Sequence, residues 1–186
     1  MSVIIRVKNN YYEQCVTFAK ESWANEKQSS RYNNGFINSK DDPYKVTRIG
    51  AIGEMAFAIF MNLHPNFEYK KYGEKYDFEV NNYKIDVKTA KECPKYRATL
   101  LRCINERGKY IKPSCDIYVS AYIQKESREE KWCDVVLVGW HTKESINEQT
   151  PVPSRVKSAS HWNYELKFDD ANNIESLGEY LNGERN

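Results

Sequence analysis

Apolar and polar positions recur with two different spacings along the chain, and these spacings divide it into helices and strands. Residues 9–30 and 46–62 have apolar positions three to four apart, which predicts two helices that are each buried on one side. The second helix is the more apolar and ends before Pro65. Residues 115–123 and 132–140 are rich in β-branched and aromatic residues, which predicts two strands.

Shorter segments complete the pattern. They are predicted as strands joined by a tight turn (67–91), a short helix capped by Thr142 (141–146), an edge strand (162–168) and a last helical turn (177–181). Turn-forming residues predict loops over 31–44 and 151–160, while 94–113 shows no clear pattern. Helices that flank a run of strands predict an α/β fold of the mixed α+β kind.

A chain of 186 residues is expected to form one domain with its own core. Within it we expect an N-terminal helix and loop (1–45), a central core (46–140) and a C-terminal extension (141–186). The longest apolar run, around 49–63, contains Glu54 and is too short to span a bilayer. The N-terminus lacks the layout of a secretory signal, and the five scattered cysteines do not resemble a disulfide framework. The chain is therefore expected in the cytoplasm and not in a membrane.

Net charge is only +2, but the charges are unevenly distributed. Residues 84–112 carry nine Lys or Arg against three Asp or Glu, whereas residues 165–185 carry six acids against two bases. A basic middle suits a phosphate-bearing partner, although a solvated lysine-rich surface would give the same count. The sequence lacks the CxxC and HExxH patterns of zinc sites and the glycine-rich loops that bind nucleotides, so those chemistries are not expected.

Residues 76–88 predict a hairpin with two different faces. Asn tolerates the left-handed conformation of a two-residue turn, so Asn81-Asn82 sets the register and places Asp77 opposite Asp86. Alternate residues of a strand share a face. One face is apolar or aromatic and consists of Tyr76, Phe78, Val80, Tyr83, Ile85 and Val87. The other face is charged and consists of Lys75, Asp77, Glu79, Lys84, Asp86 and Lys88.

The opposed acids Asp77 and Asp86 allow two interpretations. An ordinary hairpin with one solvent-exposed face accounts for Glu79 opposite Lys84 as an ion pair, but two acids whose Cβ atoms lie about 5 Å apart destabilise such a hairpin. A bound divalent cation would turn the same pair of acids into a site, because hard cations prefer carboxylate oxygens. Lys88 points to the same face as Asp86, two residues after it.

Glu54 is the only ionisable residue in the apolar run 49–63. A carboxylate in apolar surroundings is costly unless it is paired or bound to a cation. One interpretation places Glu54 on a polar stripe at the edge of its helix, paired with Arg48. The other adds it to the acids of the hairpin, since Gly50 and Gly53 would let another backbone or a ligand approach closely.

A helix that bears Glu, a strand that bears Asp, a tight turn and a strand that bears Asp-x-Lys together resemble the PD-(D/E)XK nuclease superfamily, which has the restriction-endonuclease-like fold. In this chain the motif residues are Glu54 in GAIGEMAF, Asp77 in KYDFEV, and Asp86 and Lys88 in KIDVKTAK. The resemblance covers residues 46–91, about a quarter of the chain, and Tyr76 stands where the superfamily's name has proline. It implies an αβββαβ core with a central mixed sheet flanked by helices, and a catalytic core inside 46–140.

The resemblance also implies a reaction and a role for each motif residue. The chain would be a divalent-metal-dependent nuclease that hydrolyses phosphodiester bonds, with DNA as the expected substrate. Asp77, Asp86 and the Val87 carbonyl would hold one or two Mg²⁺ or Mn²⁺ ions, and Glu54 would bind a metal ion or its water. Lys88 would orient or activate the attacking water, or stabilise the developing negative charge.

Residues near the motif are candidates for contacts with backbone phosphates. They are Arg48, Thr89, Lys91, Lys95, Arg97 and Arg102. A homodimer would suit double-strand cleavage by symmetry. Restriction, repair, recombination and phage DNA processing in the host cytoplasm all use this fold. The alternatives are a nucleic-acid-binding protein with a nuclease-like fold but no activity, and an interaction domain whose charged hairpin face is solvated.

Overall fold

The computed structural model describes residues 1–27, 44–67, 76–95, 97–104, 109–154 and 162–183. The helices of these ranges are α1 (Asn10–Lys27), α2 (Lys45–Met61), α3 (Lys143–Asn147) and α4 (Leu177–Gly183). The strands are β1 (Val3–Lys8), β2 (Phe78–Val80), β3 (Tyr83–Ala90), β4 (Ala98–Ile104), β5 (Ile117–Ser127), β6 (Trp132–Thr142), β7 (Val152–Pro153), β8 (Trp162–Lys167) and β9 (Asn172–Asn173). The fold is of the mixed α/β kind, as the sequence predicts.

The main sheet is mixed and has the strand order β1-β6-β5-β3-β2, with β9 also paired to β6. Strands β3 and β5 run parallel, and the other neighbours in this sheet run antiparallel. A parallel pair needs a crossover connection. The αβββαβ core implied by the resemblance would have a helix in that crossover, but its described residues contain β4 instead. The predicted central mixed sheet is confirmed, and the restriction-endonuclease-like core stays a prediction.

A second, small sheet has the strand order β4-β8-β7. Residues 162–168 are predicted as an edge strand, but β8 lies in the middle of this sheet because β4 pairs with one of its edges and β7 with the other. β7 arises within the loop predicted over 151–160, of which 155–160 lie outside the described residues. The edge prediction is therefore wrong, because β4 is distant in the sequence and β7 lies in a segment that is predicted as a loop.

Two hydrophobic cores lie on opposite faces of the main sheet. The first lies between one face of the main sheet and helices α1, α2 and α4, where Ile52 and Phe57 pack with Ile85 and Val119. The second core lies between the small sheet, α3 and the opposite face of the main sheet. Its buried residues are Cys103, Cys115, Tyr118, Ile146, Tyr164 and Leu166. The side chains of residues 86 and 88 of β3 therefore point to the side of the second core, because those of Ile85 and Val87 point into the first core.

Most of the predicted elements are confirmed. Helices α1 and α2 coincide with the two amphipathic segments, and Thr142 caps α3, its hydroxyl accepting a hydrogen bond from the Ser145 N–H at 3.1 Å. Strand β1 is not predicted by the sequence pattern and pairs with β6 over its full length. The loop predicted over 31–44 lies outside the described residues, apart from Tyr44. No helix in the described ranges is long and apolar enough to cross a lipid bilayer.

Candidate active site

The hairpin of β2 and β3 has the predicted register. Val80 pairs with Tyr83, and Phe78 pairs with Ile85. Asn81 and Asn82 both have positive φ, 49° and 66°, which is the conformation that a two-residue turn between twisted strands requires. Beyond the paired residues, the Asp77 N–H donates to the Ile85 carbonyl at 2.9 Å. Asp77 therefore lies next to the middle of β3, as the sequence predicts.

One residue lies on the wrong face of the predicted hairpin. Tyr76 is predicted on the apolar face, but its ring packs against the second core, and the Lys84 ammonium lies 5.4 Å from the ring centroid. Lys84 belongs to the charged face, so Tyr76 does as well. The physical reason is that β2 begins only at Phe78, and the alternation of faces does not extend into the bend that precedes it.

Asp86 and Lys88 lie in direct contact on β3. The Lys88 ammonium is 2.6 Å and 2.9 Å from the two carboxylate oxygens of Asp86. The Asp77 carboxylate accepts a hydrogen bond from the Val87 N–H at 2.6 Å and so binds the backbone between these two residues. The hairpin therefore brings Asp77, Asp86, Val87 and Lys88 together, and the side chain of Val87 itself is buried in the first core.

Glu54 reaches this group from α2. Its carboxylate folds back over Gly50, where an added Cβ would lie 3.8 Å from Glu54 Oε1. Burial and, to a smaller extent, the charge of Asp86 raise the pKa of Glu54 to about 7, while Lys88 acts in the opposite direction. Arg48 pairs with Glu126 instead, so the charges that act on Glu54 are those of the hairpin.

The Asp77 carboxyl group shows the same electrostatic conflict. Burial is the largest effect and, with the charges of Glu54 and Asp86, raises the pKa of Asp77 to about 8. The Val87 N–H and Lys88 lower it, but less strongly. Burial is the largest single effect and acts to lower the pKa of Lys88, yet the neighbouring acids, mainly Asp86, together outweigh burial and the pKa is raised. Three acids thus share one ammonium group, and the cost of further negative charge at a largely buried place favours the protonated forms of Glu54 and Asp77.

A close contact between α2 and β3 fixes the position of Glu54. A Cβ on Gly53 would lie only 1.7 Å from the Thr89 hydroxyl oxygen and 2.8 Å from the Thr89 Cβ. Thr89 is β-branched and has little rotamer freedom to move aside. That hydroxyl oxygen is itself buried without a hydrogen-bond partner among the described residues. Gly53 therefore allows the helix to approach the strand and carry Glu54 to the acids.

We predict that Gly53→Ala destabilises the protein by about 1–3 kcal/mol, because the helix must move away from β3 to admit the methyl group. Urea unfolding measures the change. Gly50→Ala is the matched control, because its Cβ would meet no atom closer than 3.8 Å and Ala is the better helix former. Equal destabilisation by both substitutions would contradict the importance of the Gly53 contact.

Two residues near the acids are not identified by the sequence. Cys115 is fully buried, and burial together with the charge of Asp86 raises the pKa of its thiol to about 11. Tyr118 lies beside Asp86 in the parallel register of β3 and β5, and its hydroxyl accepts a hydrogen bond from the Cys115 N–H at 3.0 Å. Only the pairing of β5 with β3 reveals these neighbours, and nothing in the sequence near 86 indicates that pairing.

The predicted phosphate-contacting residues fall into three groups. Lys91, Lys95 and Arg97 are exposed after the end of β3, and Arg97 pairs with Asp169 at 3.4 Å. Arg102 is half-buried on β4. Arg48 and Thr89 do not lie on the surface beside the acids: Arg48 is 2% exposed, and the Thr89 hydroxyl is pressed against Gly53.

The acids Glu54, Asp77 and Asp86 fit a divalent cation by the kind of ligand they offer more than by their present arrangement. Hard cations bind carboxylate oxygens, and a cation would replace the protons that the raised pKa values of Glu54 and Asp77 favour. The described residues contain no group of three or more His, Cys, Asp or Glu side chains already arranged to hold a metal ion. The contacts explain this, because Lys88 lies on both oxygens of Asp86 and the Val87 N–H holds Asp77.

Comparison of the chain with protein families, with curated protein sequences and with solved structures finds no match. The functional interpretation therefore depends on the chemistry of the site.

Proposed function

We propose that this chain is a divalent-metal-dependent nuclease that hydrolyses phosphodiester bonds, with DNA as its expected substrate. The observation that carries the proposal is the convergence of Glu54, Asp77 and Asp86 around a single lysine. Acids with raised pKa values, close to one cationic group, are typical of functional sites and are a poor arrangement for stability alone. The resemblance of the motif to the PD-(D/E)XK nucleases supports the same reaction.

The residues that would hold Mg²⁺ or Mn²⁺ are Asp77, Asp86 and Glu54, together with the Val87 carbonyl. When bound, such an ion lowers the pKa of a water ligand and stabilises negative charge on a phosphate. A cation next to Asp86 would also compete with Lys88, whose ammonium group now lies on that carboxylate. Lys88 would then be released to face the attacking water or the phosphate oxygens, as the proposed role requires.

A basic cavity at the end of β3, the strand that bears Asp86 and Lys88, supports a substrate with phosphate groups. The cavity has a volume of about 370 Å³ and opens where β3 ends. The basic residues of its lining are Lys45, Arg48, Lys91, Lys125 and Arg128, and its acids are Glu92 and Glu126. An excess of positive charge in a cavity at the end of this strand suits a polyanion such as a nucleic-acid backbone.

The second candidate is a nucleic-acid-binding protein without activity. It is favoured by the ion pair of Lys88 and Asp86, which occupies the carboxylate that a metal ion would need. It is opposed by the excess of buried acids, because carboxylates repel phosphates and a binding surface has no use for them. The homodimer stays a prediction from the sequence.

The proposal predicts cleavage that depends on a divalent cation. Purified protein is incubated with supercoiled, linear and single-stranded DNA and with RNA, each in Mg²⁺, in Mn²⁺ and in EDTA. We expect cleavage of at least one DNA substrate in Mg²⁺ or Mn²⁺ and no cleavage in EDTA. Binding without cleavage in any of these conditions would favour the second candidate.

A further inference from the structure

Four apolar residues form a row across the small sheet. Tyr110 bridges to Ile104, Ile104 is in register with Trp162, and Trp162 is in register with Pro153. Residues directly opposed on neighbouring antiparallel strands share a face. Tyr110, Ile104, Trp162 and Pro153 therefore lie side by side, and we call them the aromatic row.

Both rings of the aromatic row are exposed, and a hydrogen bond holds the Tyr110 ring in place. Trp162 is 42% exposed and Tyr110 is 45% exposed, and the neighbouring Ile111 is 40% exposed. The Tyr110 hydroxyl is hydrogen-bonded to the hydroxyl of Tyr164, which is buried. Large apolar groups that stay together at a surface mark places where a partner binds. The bond to Tyr164 holds the Tyr110 ring in place, so little entropy is lost when a partner packs on it.

The aromatic row and the acids lie around the same core. Tyr164 belongs to the second core, as do Cys115 and Tyr118. The charge of Asp86 acts on both the Cys115 thiol and the Tyr118 hydroxyl. Trp162 shares the face of β8 with Tyr164, two residues on, so the row is the exposed margin of the face that covers the second core. A ligand on the aromatic row therefore lies at the margin of the second core, the core beside which Asp86 lies.

The charge around the aromatic row identifies the ligand. Lys109 and Lys112 are exposed on either side of Tyr110 and Ile111. Aromatic rings flanked by basic residues are the combination that binds single-stranded nucleic acid, because rings stack on bases while cations contact phosphates. In a duplex the faces of the bases are already stacked on one another and are hidden from such rings.

We propose that the aromatic row is a stacking surface for unpaired bases, and that the substrate is nucleic acid with a single-stranded stretch. The inference deepens the proposed nuclease and rests on it for cleavage, but the binding of unpaired bases can be tested without cleavage. Bases stacked on Trp162 and Tyr110 would hold the strand so that its backbone passes the acids beside the second core.

The test measures binding in EDTA, where no metal-dependent cleavage occurs. The anisotropy of a labelled oligothymidine and of a labelled duplex of the same length gives the two dissociation constants. We expect wild type to bind the single strand more tightly, and Trp162→Ala to weaken that binding by about tenfold to a hundredfold, since one stacked base is lost. Trp162→Phe keeps a ring and should retain most of the affinity.

The control is Tyr11→Ala, which removes a ring that is 51% exposed on α1, away from the small sheet. It should leave the affinity for the single strand unchanged, and circular dichroism should show all variants folded. The inference is overturned if folded Trp162→Ala binds like wild type, if wild type prefers the duplex, or if the row instead holds a dimer that Trp162→Ala dissociates. Binding that depends on Trp162 without any cleavage would leave this inference standing and refute the nuclease alone.

Discussion

Asp86→Asn is expected to lower the rate of metal-dependent cleavage at least a thousandfold, which is the largest effect on activity that we predict. The substitution keeps the size of the side chain but removes the charge that a cation needs. It also removes the partner of Lys88, whose ammonium group lies 2.6 Å from Asp86. Losing the contribution of a metal site and of a positioned acid–base group together accounts for a factor of about 10³ or more. Single-turnover cleavage of labelled DNA in Mg²⁺ measures it.

Glu79→Gln is the matched control for this prediction. Glu79 is an exposed carboxylate on the same hairpin and lies opposite Lys84, nearer to the turn than Asp77 and Asp86. Its loss should change the cleavage rate little, because it does not contact the acids of the site. Equal rates for wild type and Asp86→Asn would assign the activity to a contaminant and show that Asp86 is not part of the active site.

Glu54→Gln is expected to stabilise the metal-free protein at pH 8 by about 2 kcal/mol more than at pH 5. The fold raises the pKa of Glu54 from its ordinary value of 4.5 to about 7. The folded state therefore holds the Glu54 proton more tightly than the unfolded state does, and wild-type stability falls as pH rises from about 4.5 to about 7. Gln cannot ionise and escapes this loss, which amounts to about 1.4 kcal/mol for each unit of pKa change.

Urea unfolding in EDTA at the two pH values measures this difference. Glu79→Gln again serves as the control, because an exposed carboxylate changes stability by only about 0.5 kcal/mol or less. In excess Mg²⁺ the order should reverse at pH 8, since wild type would gain the free energy of cation binding and Glu54→Gln would gain less. If Glu54→Gln changed the free energy of unfolding equally at both pH values, the fold would not raise the pKa of Glu54, which would contradict the prediction.

The local parts of the site could be predicted from the sequence. The two-residue turn at Asn81-Asn82 fixes the register of the hairpin from neighbours a few residues away, so the approach of Asp77 to Asp86 follows without knowledge of the rest of the fold. Glu54 could be found because it is the single charge in an apolar helix. Tyr76 was misplaced because the alternation that predicts its face stops where β2 begins at Phe78.

The non-local parts could not be predicted. The pairing of β5 beside β3 brings Tyr118 to Asp86 from more than thirty residues away. The small sheet combines β4 with β8, and Leu101 of β4 pairs with Tyr164 of β8. Side-chain alternation indicates that a segment is a strand but does not specify its partner, because many strands present similar apolar faces. The aromatic row depends on such pairings and is therefore visible only in the structure.

The most direct measurement of the central claim, that Glu54, Asp77 and Asp86 form a divalent-cation site, is calorimetric titration of Mn²⁺ into metal-free protein at pH 7.5. We expect wild type to bind one or two ions, Asp86→Asn to lose this binding, and Glu79→Gln to retain it, because only Asp86 belongs to the acid group. Absence of binding to wild type, or equal binding to wild type and Asp86→Asn, would contradict the claim.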